Sequence, residues 1–197
     1  MKSYATGLLV LFIAVVVSAC GGVDAPDQAP RSTDQPAITG APAGFNTDDV
    51  AFANAMITSY EQSTELTDLV SERSTDPNLV ALAADIDAAQ RPNLEMVKVF
   101  LVQWNADSDT SPDQSTQGNP VAGVIDDATM ARLKSLRGPE FDALWLPSMI
   151  EHQQGAAATA EAETAHGANV DAVATARQLV GSYQAQIARM QQALAGH

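Results

Sequence analysis

The sequence predicts an all-α fold, a four-helix bundle built from two copies of one helical hairpin. Apolar residues recur at spacings of three and four through most of residues 46–195, the period of a helix that buries one face. Aligned with itself at an offset of 93, the chain pairs Met56-Ile57 with Met149-Ile150, Val80-Ala81 with Val173-Ala174 and Ala83 with Ala176; Leu101 meets Leu194, Phe52 meets Trp145 and Leu94 meets Ile187. Each half reads as a long helix, a short turn and a second long helix. A lone hairpin cannot bury its apolar stripe, so the two are expected to pack on each other.

The first helix should begin after Asn46, with Thr47 and Asp48 as N-cap candidates and Val50, Ala53, Ile57, Tyr60, Thr64 and Thr67 inward. A turn near residues 74–77 leads to a second helix over 76–104, with Leu79, Leu82, Ile86, Ala89, Val97, Leu101 and Trp104 inward. Pro92 removes one hydrogen bond and costs about 3 kcal/mol inside a helix, which predicts a kink near residues 87–91. Residues 105–124 hold turn and breaker residues and read as a long acidic loop. Its Asp107-Ser108-Asp109 start hints at a calcium loop, but Pro112 stands where the sharp-turn glycine belongs and no Glu closes the twelve. A short helix over 126–137, with Met130, Leu133 and Leu136 inward and Gly138 as its stop, completes the crossover. Pro139 then opens a third long helix with Leu144, Trp145, Ser148, Met149, His152, Ala156 and Thr159 inward. After a turn at 166–169, the last helix runs over 169–195 on Val173, Val180, Ile187, Met190 and Leu194. The folded domain is thus 45–197, with halves 45–105 and 139–195 and the loop and short helix at 106–138.

Ahead of it lies an export signal. Lys2 supplies a positive start, residues 8–17 (LLVLFIAVVV) form an apolar run too short to span a bilayer, and Ser18 and Ala19 precede Cys20. Residues 1–19 are read as a signal peptide. The tetrad Val17-Ser18-Ala19-Cys20 resembles the lipobox of bacterial lipoproteins, which implies that the Cys20 thiol carries diacylglycerol and that the protein is anchored to a membrane outside the cytoplasm; the alternative is an ordinary cleaved signal beside a stray cysteine. Residues 21–44 are rich in Gly, Pro, Ala and Asp without apolar period, so they read as a disordered tether about 25–30 Å in typical reach.

The formal charge of −14, with only ten Lys and Arg, excludes nucleic acid as a partner, since phosphate binding needs clustered cations. A single cysteine permits no internal disulfide and, once lipidated, no thiol catalysis. Glu61 and Glu65 lie one turn apart, but such a pair on an acidic chain is ordinarily a solvated face. No catalytic signature emerges.

The segments FNTDDVAFANAMI (45–57), FDALWLPSMIEHQQGA (141–156) and SYQAQIARM (182–190) resemble the ferritin-like bacterial family known as domain of unknown function 305 over about residues 45–195. The resemblance implies a ferritin-like bundle, export, paired histidines after each Met-Ile and, for some members, binding of copper or another metal. Here Ser59-Tyr60 and His152-Gln153 hold those positions, so one histidine of four is present. Met149 and His152 are three apart and share a helical face, while Met56 and Met190 match methionine positions of the family. His152, Met149, Met56 and Met190 would suit Cu(I), which accepts thioethers, although methionines at helical spacing are ordinarily core-fillers. Glu163 and His166 have the Glu-x-x-His spacing of di-iron bundles, but it occurs once, at a helix end. No residue demands a cofactor. The expected function is a non-catalytic, lipid-anchored binding lipoprotein of the cell envelope that engages another protein or envelope component; the alternative is copper binding or buffering through the residual His and Met groups.

Overall fold

Helix α1 spans Thr47–Arg73, α2 Pro77–Gln103, α3 Asp127–Ser135, α4 Gly138–His166 and α5 Val170–Gly196. These come from a computed structural model that describes residues 44–105 and 121–196. The signal, Cys20, most of the tether and most of the acidic loop lie outside the described residues.

The helix ends follow local capping chemistry. Asn46, rather than Thr47 or Asp48, caps α1: its side chain accepts from the backbone N–H of Asp48 and Asp49, and Asp49 reaches back to accept from the Asn46 N–H. Asp76 caps α2 just ahead of Pro77, and Asn169 caps α5 through the N–H groups of Asp171 and Ala172. Helix α3 ends earlier than expected, at Ser135, with extended Leu136 as its cap. Gly138 is therefore not its stop; at φ +57° it opens α4, ahead of Pro139. Pro92 does not divide α2. It sits on an exposed position, where water can reach the Ala88 carbonyl that the missing N–H leaves free.

The two halves superimpose in sequence register. The end of α1 at Arg73, the start of α2 at Pro77 and its end at Gln103 recur 93 residues later at His166, Val170 and Gly196. Helices α1 and α4 run antiparallel, since Asn46 reaches His166, Ser59 meets His152 and Trp145 donates to the Leu66 carbonyl. Arg189 pairs with Asp85 and Thr175 donates to Met96, so α2 and α5 are antiparallel too. Ser59 and His152 occupy equivalent positions in the repeat and touch each other. Equivalent residues can meet only on the symmetry axis, so a pseudo-twofold axis crosses the bundle between them.

Apolar side chains separate into two clusters along the bundle. One, at the end where α1 begins, gathers Phe52, Met56, Phe100, Trp104, Ala160, Leu179 and Tyr183. The other, under α3, gathers Leu66, Leu82, Ile86, Leu133, Phe141, Trp145, Met149 and Met190. Between them lie the buried polar side chains Ser59, Ser63, Gln90, His152, Gln153 and Gln186. The buried stripes are rotated from those expected. In α5 the inward positions are Ala172, Ala176, Leu179, Tyr183 and Met190, while Val173, Val180 and Ile187 are half-buried and Leu194 is exposed. In α1, Asp49, Ser59 and Ser63 take inward places and Val50, Ile57 and Thr64 lie at the edge. In α2, Gln90 is buried and Ala89 exposed. Small and polar residues occupy the close helix contacts, which an apolar count passes over.

The return from the loop is pinned across α1 and α4. The Gln62 side chain donates to the Ile125 carbonyl and accepts from its N–H, both at 2.8 Å. Gly155 lets this segment lie directly on α4, because a Cβ there would sit 2.3 Å from backbone atoms of Ala122 and Gly123. We expect Gly155→Ala to cost about 2–4 kcal/mol in urea unfolding, since backbone must move. Gly181, open to solvent on α5, provides the contrast: Gly181→Ala should stabilise by about 0.5–1 kcal/mol through helix propensity alone.

Candidate functional site

Chemistry-bearing side chains converge inside the bundle in the polar layer on the pseudo-twofold axis, with His152 at its centre. The imidazole is 1% exposed. Nδ1 lies 2.9 Å from the Gly123 carbonyl oxygen; Nε2 lies 3.1 Å from the Ser59 carbonyl oxygen and 3.4 Å from its Oγ. Burial holds the imidazole below the ordinary histidine range, so it is neutral at pH 7. A neutral ring has one donor and one acceptor. The arrangement that satisfies it has Nδ1–H donating to Gly123 and Nε2 accepting from the Ser59 hydroxyl.

The rest of the layer is uncharged. The Gln153 amide donates to Gln186 Oε1 at 2.7 Å, and Gln186 donates onward to Ser182 Oγ. Tyr60 faces Tyr183 and Asn93; burial pushes the Tyr60 phenol up to about 12 and holds that of Tyr183 well above its ordinary value, so both stay protonated. Gln153 is the repeat partner of Tyr60, Tyr183 of Gln90, and Gln186 of Asn93.

Met56, Met149 and Met190 are each fully buried. Met56 belongs to the apolar cluster on one side of the layer, Met149 and Met190 to the cluster on the other. Thus His152 lies between the two sulfur groups, with both nitrogens already facing oxygen atoms. For either nitrogen to bind copper, the segment at Gly123 or the Ser59 side of α1 must give way. Of the Glu-x-x-His pair, Glu163 is buried and His166, the last residue of α4, is exposed. No group of three or more His, Cys, Asp and Glu occurs among the described residues. Glu61 and Glu65 are exposed, and Glu65 pairs with Lys134.

A second buried cluster escaped the sequence reading. Asp49 is completely buried and accepts from the backbone N–H groups of Asn46, Ala168 and Asn169, which hold its carboxylate below the usual range despite the burial that raises it. Glu163 faces it. Burial, and then the neighbouring Asp49, push the Glu163 carboxyl up to about 8, so at pH 7 it is mostly protonated and puts little second charge beside Asp49. The pair joins the first turn of α1 to the α4–α5 turn. Asp49 was legible as the N3 partner of an Asn cap, whereas nothing local marks Glu163, which meets it from 114 positions away.

An antiparallel pair of helical hairpins, related by a twofold axis and closed by a crossover, is the ferritin-like class of bundle. Over residues 49–194 the chain matches the family described as Domain of unknown function (DUF305), and it belongs to that family. A DUF305 protein from Streptomyces coelicolor, described among the secreted proteins, is similar at 27% identity and TM-score 0.69, covering 76% of this chain and 93% of that one. A DUF305 fragment from Deinococcus radiodurans is similar at 25% identity and TM-score 0.68, covering 80% and 100%. CopM in its Cu(II)-bound form shares the fold at 20% identity and TM-score 0.63, covering 75% and 96%. No curated protein matches the chain.

Because Glu163 binds its proton more tightly folded than unfolded, its contribution is complete at low pH and is lost as pH rises from about 4.5 to about 8. We expect Glu163→Gln, which replaces the titrating carboxyl by a neutral group of the same size, to flatten the fall in melting temperature between pH 5 and 8. It should raise the value at pH 8 by several degrees, as thermal melts by circular dichroism would read.

Proposed function

We propose that this protein is a non-catalytic binding lipoprotein of the cell envelope, exported by residues 1–19, anchored through lipid on Cys20 and tethered to the membrane by residues 21–44. One observation carries the non-catalytic part. The sole buried histidine among the described residues spends both nitrogens within hydrogen-bond reach of Ser59 and Gly123, which makes it a fastener of α1, α4 and the crossover. The other polar side chains of the layer are neutral amides, phenols and hydroxyls, poor acid–base groups at pH 7. Export is supported by the likeness to a Streptomyces coelicolor relative described as secreted. The binding function then resides in the outer surface, toward another protein or envelope component.

Copper binding is the second reading, supported by the likeness of the bundle to CopM in its Cu(II) and Cu(I) forms. It would use His152 with Met149, Met56 and Met190, and would require the imidazole to exchange an oxygen neighbour for the metal. Thioethers on both sides of the layer are the donors such a soft ion accepts.

Competitive titration of Cu(I) against a chelator separates the two. We expect wild type, His152→Gln and Met149→Leu to bind equally. A loss of about tenfold or more in either variant, equivalent to 1.4 kcal/mol, would favour the copper reading. Met149→Leu preserves core volume, so its result stands even where His152→Gln loosens the crossover.

A further inference from the structure

The large apolar side chains left exposed on the bundle are unevenly placed. Phe45 (46% exposed), Met96 (39%), Val99 (50%), Val102 (75%) and Val170 (66%) all lie toward the end where α1 begins; only Val124 and Leu194 lie elsewhere among the described residues. The pairs Arg189–Asp85 and Thr175–Met96 set the register of α2 against α5, and this register brings Val170 level with the last turn of α2, at Val102. Phe45 stacks on Trp104 with ring centroids 5.3 Å apart, and Trp104 stacks on Phe100 at 5.4 Å. The result is an aromatic column opening onto a valine-rich rim.

We infer that this end of the bundle is a membrane-docking face, which rests on the lipid surface to which the chain is tethered. The inference rests on the lipid-anchor reading of Cys20. The argument for lipid is where the chain enters: the covalent path from Cys20 reaches the fold at Gly44 and Phe45, inside the patch itself. A covalent tether of that length holds the patch at an effective concentration of order millimolar at the surface, so a patch too weak to bind vesicles alone docks when anchored. An aromatic ring beside aliphatic side chains is also the composition that settles at a membrane–water interface. No described helix is long and apolar enough to cross a membrane, so the contact is superficial.

Trp104 gives the test a reporter. It packs directly beneath the patch, stacked on exposed Phe45, whereas Trp145 is bonded to Leu66 deep in the other cluster, roughly 30 Å away along the bundle by helix rise. The mature lipidated protein is reconstituted into phosphatidylcholine vesicles with and without brominated acyl chains, and tryptophan emission is compared. Docking predicts quenching of up to about half of the signal, because one of two tryptophans is within reach of lipid. Trp104→Phe should abolish it, and Val99→Ser with Val102→Ser, both at exposed positions, should reduce it severalfold while the protein stays on the vesicles. Vesicle-bound protein whose emission is unquenched, or equally quenched in the valine variant, overturns docking and leaves the anchor standing. Recovery in the soluble fraction, as for Cys20→Ser, overturns the anchor and docking together. Concentration-dependent dimerisation that the valine variant abolishes would assign the patch to a second copy and also overturn docking.

Discussion

The geometry of the bundle depends on one contact, the approach of α1 to α4 at Ser59 and His152. In a fold made by repeating a hairpin, the helices that cross the symmetry axis bring equivalent residues face to face, and whatever residue type the repeat carries there is doubled. Two imidazoles at this place would meet each other; a serine and an imidazole make an asymmetric pair that needs nothing further. The hydroxyl is small enough for α1 to bring its own carbonyl to 3.1 Å from the ring. Burial keeps that ring neutral, so the contact carries no unpaired charge into a low-dielectric interior.

The polar layer has a cost and an advantage. Each buried amide, phenol and hydroxyl must find a partner or forfeit about 1–3 kcal/mol, whereas an all-apolar core makes no such demand. What the layer supplies is register. Two apolar clusters on helices of similar length can slide by a turn and still bury methyl groups, but Gln153 reaches Gln186 and His152 reaches Gly123 in one alignment only. The Asp49–Glu163 pair does the same at the end of the bundle, where it fixes the α4–α5 turn against the first turn of α1.

Much of this architecture was readable in the sequence, and what was not has a common cause. The helices, their antiparallel hairpins and the offset of 93 followed from periodicity and repetition, because helix ends depend on residues within one turn, such as an Asp before Pro77 and a Gly after His166. The facing of each helix was read less well. Apolar counts placed Val173, Val180 and Leu194 inward, but the close α4–α5 contact admits Ala172 and Ala176 and turns the larger residues outward. Where backbones approach, small size outweighs hydrophobicity. In the candidate site, His152, Met149 and Met190 were read as inward from helical spacing, and Met56 was included on the family resemblance alone. Their division between two clusters was not visible, because no single-helix pattern records which level of a neighbouring helix a side chain meets.

Two of the departures from symmetry between the halves lie where symmetry is physically impossible. A single crossover connects two equivalent hairpins, so it must lie on one side of the axis and meet α1 and α4 differently. Gln62 and Gly155 are partners in the repeat, and the same segment touches both: Gln62 grips Ile125 with two hydrogen bonds, while Gly155 has shed its side chain so that Ala122 and Gly123 can lie against the helix. Ser59 and His152 divide the same way, one yielding space and the other reaching Gly123. A metal centre on the axis draws on both halves alike and favours keeping equivalent ligands in each. A crossover seated over that axis favours their divergence, and at these two pairs of positions the residues follow the crossover.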